Sequence, residues 1–235
     1  MDIKNILQIN RNELKYEMHP LDALCLQNEL DALLLRDSYS AYGSYMVRSL
    51  YFDSLNDIDF REKYAGNETR KKIRIRIYDC NTSEGKFELK QKKGNYSHKK
   101  SVLISREEIQ MAMENNFSFL LNHESEAALE LYSLLTLGCY SPKTIIEYQR
   151  TAFLYPENNI RITLDAHAKS SETDLNLLKG ELPWLPVIDE KVILEVKYDG
   201  TLIKIISDVL KKYTLTQVSV SKYAAGRPIY AKYIL

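Results

Sequence analysis

Between Arg70 and Tyr78 the chain reads Arg-Lys-Lys-Ile-Arg-Ile-Arg-Ile-Tyr. Successive side chains of an extended strand point to opposite faces. Lys72, Arg74 and Arg76 therefore line one face, and Ile73, Ile75 and Ile77 the other. A second run sets Glu88, Lys90 and Lys92 against Phe87 and Leu89. Stacked cations repel unless solvent screens them or an anion neutralises them. Arginine offers planar, two-pronged donors that match phosphate oxygens. Burying several such groups without counter-charge costs several kcal/mol per ion. The chemistry this implies is capture of a long, multiply charged anion. A linear polyphosphate or a nucleoside triphosphate fits; a single carboxylate does not.

Other strand-like runs repeat the signature. Tyr148-Gln149-Arg150 follows Glu147; Arg161, Thr163 and Asp165 share a face; Glu195 and Lys197 oppose Leu194 and Val196; Ser221-Lys222-Tyr223 ends a further run. One such strand is ordinary on a solvated sheet face. Six together, this rich in arginine, predict a closed barrel with a polar, basic lumen and an apolar outside covered by helices.

The elements that would carry these residues are legible from spacing. Strands are expected over residues 6–18, 45–53, 70–80, 85–93, 99–105, 144–153, 160–167, 191–198 and 217–223, and short turns between neighbours suit antiparallel pairing. Pro20 opens a helix to about Arg36, with Leu21, Leu24, Leu30 and Leu34 as core-packing positions. Residues 56–65 read as helical. Ser105-Arg106-Glu107-Glu108 is a capping box that starts a helix to about Leu121. Further helices are expected over 124–137 and 201–213, and residues 168–190 read as a polar connection. Strands and helices interleave, and no repeat or linker divides the chain.

Composition narrows the class. At 235 residues, with 45% hydrophobic and 27% charged residues, the chain can bury a large core. The formal net charge is zero, which argues against a general nucleic-acid coat. That zero hides segregation: residues 70–100 hold eleven Lys or Arg against Asp79, Glu84 and Glu88, whereas 107–130 hold six Glu and no Lys or Arg. Locally basic and globally neutral, the chain suits a focused anion site. Cys25, Cys80 and Cys139 fit neither a metal pattern nor a disulfide framework and read as reduced, mostly buried thiols of a cytoplasmic protein. Neither a signal peptide nor an apolar run of about 20 residues is seen. The four histidines read as surface or loop residues, with His98 a candidate phosphate contact, and Trp184 as a loop anchor.

The ordered set Arg11-Asn-Glu13-Leu-Lys15-Tyr16, Val47-Arg48-Ser49-Leu50-Tyr51-Phe52-Asp53, Arg70–Tyr78, Phe87-Glu88-Leu89-Lys90, Tyr148-Gln-Arg150-Thr-Ala-Phe153, Arg161–Asp165, Leu194-Glu195-Val-Lys197-Tyr198 and Ser221-Lys222-Tyr223-Ala-Ala-Gly226 resembles the catalytic domain of the vacuolar transporter chaperone (VTC) polyphosphate polymerases, within the triphosphate tunnel metalloenzyme superfamily. The resemblance spans nearly the whole chain, as one domain over residues 1–235. It implies an α+β fold with an antiparallel eight-stranded closed β-barrel flanked by helices. It implies transfer of the ATP γ-phosphate to inorganic polyphosphate with release of ADP. The phosphate-binding positions it carries over are Lys15, Arg74, Arg76, Lys90, Arg150, Arg161, Ser221 and Lys222, with Lys15, Glu195 and Lys222 closest to the chemistry. Glu195 matches the metal-binding glutamate, for Mn2+ or Mg2+. Either Lys99 or Lys100 matches a further basic position. Glu13, Arg48, Arg70, Glu88 and Lys197 stand in a second rank. Related proteins act beside membrane proteins, so a separate membrane partner at the inner face of the membrane is expected, and a compact stand-alone domain suits a bacterial protein.

One departure separates two chemistries. Hydrolases of the superfamily often begin with Glu-x-Glu-x-Lys, whereas Arg11 stands first here. Extending a chain needs no strong general base, because a terminal phosphate is already largely ionised at neutral pH, with a pKa of about 6. The alternatives are a metal-dependent triphosphatase, which would release orthophosphate, and a non-catalytic polyphosphate-binding subunit, which would not need Glu195. Zero net charge disfavours an RNA-binding protein.

Overall fold

The computed structural model describes residues 11–94, 96–187 and 191–227. The expected strand over 6–18 is seen as β1, Arg11–Met18; residues 6–10 and the side chain of Arg11 lie outside the described set. Then follow α1 (Pro20–Leu33), β2 (Leu35–Arg36), β3 (Tyr45–Asp53), α2 (Ile58–Tyr64), β4 (Thr69–Ile77), β5 (Glu84–Lys93) and β6 (Tyr96–Ser105). The second half holds α3 (Arg106–Met113), α4 (Glu126–Leu137), β7 (Ser141–Tyr155), β8 (Ile160–Ser171), β9 (Leu185–Pro186), β10 (Val192–Asp199), α5 (Lys204–Leu210), β11 (Thr216–Gln217) and α6 (Lys222–Gly226).

The strands form one antiparallel hydrogen-bonded path, β11-β1-β10-β8-β7-β3-β4-β5-β6, with β2 on β7 and β9 on β8. This corrects the expected closed eight-stranded barrel. Among the described residues there are eleven strands, and hydrogen bonds do not close the sheet. Eight of them have eight residues or more; β2, β9 and β11 have two each. The outer edge of β1 is taken by β11, through Tyr16↔Gln217 and Glu17↔Thr216, rather than by another long strand. At the opposite end β6 presents Lys99 and Lys100, charged residues of the kind that keep a free edge from pairing with another chain.

The chain divides into two compact units, and β7 and β8 contribute to both. The first comprises residues up to Tyr45 with Gln149–His167 and Asp189–Ser219; the second comprises Met46–Tyr148, Ala168–Ile188 and the chain from Val220. Each has its own core, built by alternation. In the first, Met18, Ile162, Leu164, Val192, Leu194 and Val196 turn one sheet face onto Leu26 and Leu30 of α1 and Ile206 of α5. In the second, Ile73, Ile75, Ile77, Phe87, Leu89, Val102 and Ile104 pack with Ile109 of α3 and Leu131 and Leu135 of α4. The polar residues between them are thereby forced onto the other face.

Several expected boundaries move for local reasons. The helix expected to reach Leu121 stops at Met113, because Asn115 is left-handed (φ 63°) and Asn116 N–H returns to Met111 C=O at 2.9 Å, a C-terminal cap. Leu35 and Arg36 leave α1 to pair with Leu154 and Phe153. The last strand ends at Gln217, and Ser221 instead caps α6 by accepting from Ala224 N–H. Leu21 and Leu24 of α1 are exposed while Leu26 and Leu30 are fully buried, so the core stripe lies on the other side of that helix. Cys25 and Cys139 are also exposed, against expectation, and all three thiols are free. Cys25 shares the outward side of α1 with Leu21 and Leu24, and Cys139 sits in a left-handed turn (φ 49°) just past α4. Among the described residues no helix is long and apolar enough to cross a membrane. Ile75→Ala should cost about 2–5 kcal/mol in urea unfolding through the cavity it leaves. Exposed Leu24→Ala should stay within about 0.5 kcal/mol. Equal effects would contradict this assignment of the core.

Candidate functional site

Strand pairing in the second unit sets rows of charge side by side. Across β3, β4, β5 and β6 one row is Tyr51↔Arg74↔Glu88↔Ser101 and its neighbour Ser49↔Arg76↔Lys86↔Leu103. Next along β4 comes Lys72↔Lys90↔Lys99, three lysines directly opposite one another, then Arg70↔Lys92↔Ser97. Like charges placed opposite are destabilising in a sheet. Eight cations (Arg70, Lys72, Arg74, Arg76, Lys86, Lys90, Lys92 and Lys99) thus share a face with only Glu84, at the start of β5, and Glu88.

Glu88 is the hub of this face. It is 2% exposed. Arg74 donates to it at 2.7 Å, Arg76 stands at 4.0 Å, and Lys99 is ion-paired with it. Burial alone would raise its carboxyl, but Arg74, Arg76 and Lys99 hold it down at about 2. Arg74 also donates to the Tyr51 hydroxyl at 2.9 Å. Burial would push that phenol up, yet Arg74 and Arg76 bring it below its ordinary value. Lys72 donates to Ser221 Oγ at 2.6 Å, and the Lys222 ammonium lies 4.6 Å from the centre of the Tyr148 ring.

The first unit arranges charge differently. In its rows each carboxylate faces a lysine, Glu13↔Lys197↔Arg161 and Lys15↔Glu195↔Thr163 across β1, β10 and β8, although Arg161 stands opposite Lys197. Lys15 lies 3.1 Å from Glu13 and 3.6 Å from Glu195, and Lys197 lies 3.2 Å from Glu195. Burial alone would raise Glu195, but Lys15 and Lys197 leave it net below its ordinary value, while Glu13 works against them. Burial would depress the Lys15 ammonium, and Glu195 and Glu13 outweigh it, raising it. Arg150 grips Asp165 in two-pronged fashion, at 2.6 and 2.8 Å. Arg161 donates to Asp37 at 2.9 Å.

The fit of a divalent ion rests on Glu13 and Glu195, whose carboxylates both lie against the Lys15 ammonium, at 3.1 and 3.6 Å. No group of three or more His, Cys, Asp or Glu suited to a metal occurs among the described residues. Two carboxylates are what Mg2+ or Mn2+ commonly takes from protein when phosphate oxygens and water complete the shell. The donor set fits an ion that arrives with a phosphorylated substrate.

The remaining sequence-named residues sort by face. Lys99 lies with Glu88, whereas Lys100, opposite Leu89, is turned to Glu126 and Glu130 of α4 at 2.7 Å each. Arg48 is 2% exposed and pairs with Ile77, on the apolar side of β4. There it bonds Glu147 at 2.6 Å and the carbonyls of Leu177, Lys179 and Gly180, with Trp184 5.1 Å from its guanidinium. Arg48 is thus a staple for the 172–187 segment rather than part of the basic face. Arg70 sits at the start of β4, bonded to Asn67 C=O. His98 is on the Gln91 side of β6, not the Lys99 side. The sequence places Lys72 on the face of Arg74 and Arg76, as seen, but the phosphate-binding positions carried over by resemblance leave it out. Tyr51 and Asp37, which hold Arg74 and Arg161, are not among the expected site residues, since no local signal marks them.

Glu88 gives a pH signature. Its folded value of about 2 lies below the ordinary 4.5, so it stabilises the fold fully above pH 4.5 and progressively less as pH falls toward 2. Glu88→Gln should lower the melting midpoint at pH 7 by about 5 °C or more. The gap to the unmodified protein should close as pH falls through that window in calorimetry. A gap that stays constant with pH would contradict the role.

The family model for the VTC domain matches residues 10–230. No curated protein matches significantly in sequence. Among solved structures, a proposed adenylyl cyclase from Hippeastrum, described as having a dominant triphosphatase activity, is similar with TM-score 0.55 and 15% identity, over 92% of this chain and 94% of that one. A proposed adenylate cyclase from Bacillus halodurans is similar with TM-score 0.52 and 15% identity, over 91% and 96%. These likenesses show a shared fold. Since the VTC model takes in both the basic face of the second unit and the Glu13–Glu195 pair of the first, the chain belongs to the VTC domain family.

Proposed function

We propose that this protein transfers the γ-phosphoryl group of ATP to the end of an inorganic polyphosphate chain and releases ADP. The observation that carries the reading is the basic face of β4–β6, where eight cations share a face and three of them, Arg74, Arg76 and Lys99, converge on the buried Glu88. Such a face is stabilised by an anion with many charges in a row, which both ATP and polyphosphate supply. Membership in the VTC family supports a reading in which phosphates are the substrate.

Phosphoryl transfer asks a protein mainly for positioning and charge neutralisation. Arg74, Arg76 and Lys90 bind the nucleotide phosphates, with Glu88 fixing Arg74 and Lys99 so that their donors stay aimed. Lys15 and Lys222 offset charge at the transferring group. Arg150 and Arg161, each oriented by its own carboxylate, hold the growing chain. Ser221, whose Oγ accepts from Lys72 and from Ala224 N–H, donates its hydroxyl proton to a phosphate oxygen, and Lys197 keeps Glu195 ionised. Glu195, assisted by Glu13, would hold Mg2+ or Mn2+, the divalent ions this superfamily uses. Such an ion supplies Lewis-acid neutralisation of the phosphate oxygens. The attacking oxygen is a terminal phosphate already ionised at neutral pH, so no residue here need act as a strong base.

A second reading, a metal-dependent triphosphatase, is favoured by the carboxylates of Glu13 and Glu195 gathered at Lys15, which could orient a water beside an ion. Incubation with ATP and Mn2+ or Mg2+ separates the two. The polymerase yields a polyphosphate ladder on a gel, with ADP and little free phosphate, and Glu195→Gln lowers turnover at least about 100-fold without unfolding the protein. Free phosphate without a ladder would replace the polymerase by the triphosphatase. Neither product, with tight polyphosphate binding, would leave a binding subunit.

A further inference from the structure

Lys222 is placed by a buried network that begins 170 residues earlier in the chain. Asp53, at the end of β3, is fully buried. Its Oδ1 accepts from Ser54 N–H at 2.8 Å and Asp59 N–H at 3.0 Å; its Oδ2 accepts from Phe60 N–H at 2.9 Å and the Tyr223 hydroxyl at 2.5 Å. Asp53 therefore caps the start of α2, whose own N-cap residue Asp57 makes no side-chain cap. With the same carboxylate it anchors α6. Burial and Asp53 together push the Tyr223 phenol far up, so it stays a donor at any working pH.

The Tyr223 ring also stacks on Tyr51, with centroids 5.0 Å apart and planes 18° from parallel. Tyr51 in turn takes the hydrogen bond from Arg74. At the far end of α6, a Cβ on Gly226 would stand 2.4 Å from Ile146 Cδ1 and 3.2 Å from Ser170 Cβ, so the helix is seated close against its neighbours. Arg227 then ties to Asp57 at 2.7 Å and Glu172 at 2.9 Å. Ser221 and Lys222, at the opposite end, meet Lys72 and Tyr148.

We propose that the Asp53–Tyr223 hydrogen bond is a positioning device for the reaction proposed above: it locks α6 so that Lys222 and Ser221 stand fixed beside the basic face. Tyr223 is a positioning residue that acts through Lys222, and the assignment of Lys222 to phosphoryl transfer rests on that proposed function. Tyr223→Phe removes only the hydroxyl and keeps the ring on Tyr51. It frees α6 to shift, and misplacing a transfer group by an ångström costs on the order of 100-fold in rate.

The test uses the whole chain with its lysines 13C-methylated, the Lys222 resonance being identified by its loss in Lys222→Arg. In the unmodified protein this resonance is shifted by the ring current of Tyr148. In Tyr223→Phe it should move to the position of an exposed lysine, while a core variant of similar stability loss, Leu135→Val, leaves it in place. In the gel and ADP assays Tyr223→Phe should lower kcat about 10- to 100-fold with KM for ATP within about threefold, and Tyr223→Phe/Lys222→Ala should be no slower than Lys222→Ala. A Lys222 resonance unmoved by Tyr223→Phe overturns the proposal, as does a kcat within about threefold of the unmodified protein. If the unmodified protein transfers no phosphoryl group, the proposed function fails, and the Lys222 resonance alone decides whether Tyr223 positions it.

Discussion

Like-charge repulsion on the basic face of β4–β6 is the constraint that organises the second unit. The isoleucines between the cations bury themselves on α3 and α4, and that burial forces Lys72, Lys90 and Lys99 into one row. Glu88 offsets part of the repulsion from the centre, Tyr51 accepts from Arg74, and Ser221 accepts from Lys72. Each of these partners is drawn from a different element. The local sequence of β4 thereby dictates requirements on β3, β5 and the start of α6.

The first unit resolves the same problem by pairing each cation with a carboxylate. Glu13 faces Lys197 in one row and Glu195 faces Lys15 in the next, while Arg161, opposite Lys197, is neutralised by Asp37. Lys15 and Lys197 beside Glu195 favour its ionised form and bring its carboxyl below the ordinary value. The two faces therefore suit different tasks: one gathers negative charge, the other holds a small set of oppositely charged groups in register.

Much of this was legible in the sequence because period-two alternation is local. The limits of β3 follow from Tyr45–Asp53 alone, and the Ser105 capping box starts α3 where the four residues say it should. Helix ends were less legible, since Asn115 acts through a left-handed turn that hydrophobic spacing does not register. The expectation that Ser221-Lys222-Tyr223 closes a strand failed because Ser221 reads equally well as strand end or helix cap, and tertiary anchoring of Tyr223 decides between them. Arg48 looked like one more basic contact; its parity, opposite to Ser49 and Tyr51, is what assigns it to the buried side. Partners such as Asp37 for Arg161 and Asp53 for Tyr223 lie 124 and 170 residues away and leave no trace in local pattern.

On the proposed function, the β4–β6 face calls for a chain of phosphates rather than any single anion. The most direct test of this is the melting midpoint of the purified protein in tripolyphosphate and in orthophosphate, at matched ionic strength and free of metal. Binding only to the folded state raises the midpoint by mass action. A rise of roughly 5 °C or more in submillimolar tripolyphosphate, with little change in orthophosphate, is the predicted result. Equal shifts in the two salts, or none in either, would contradict it.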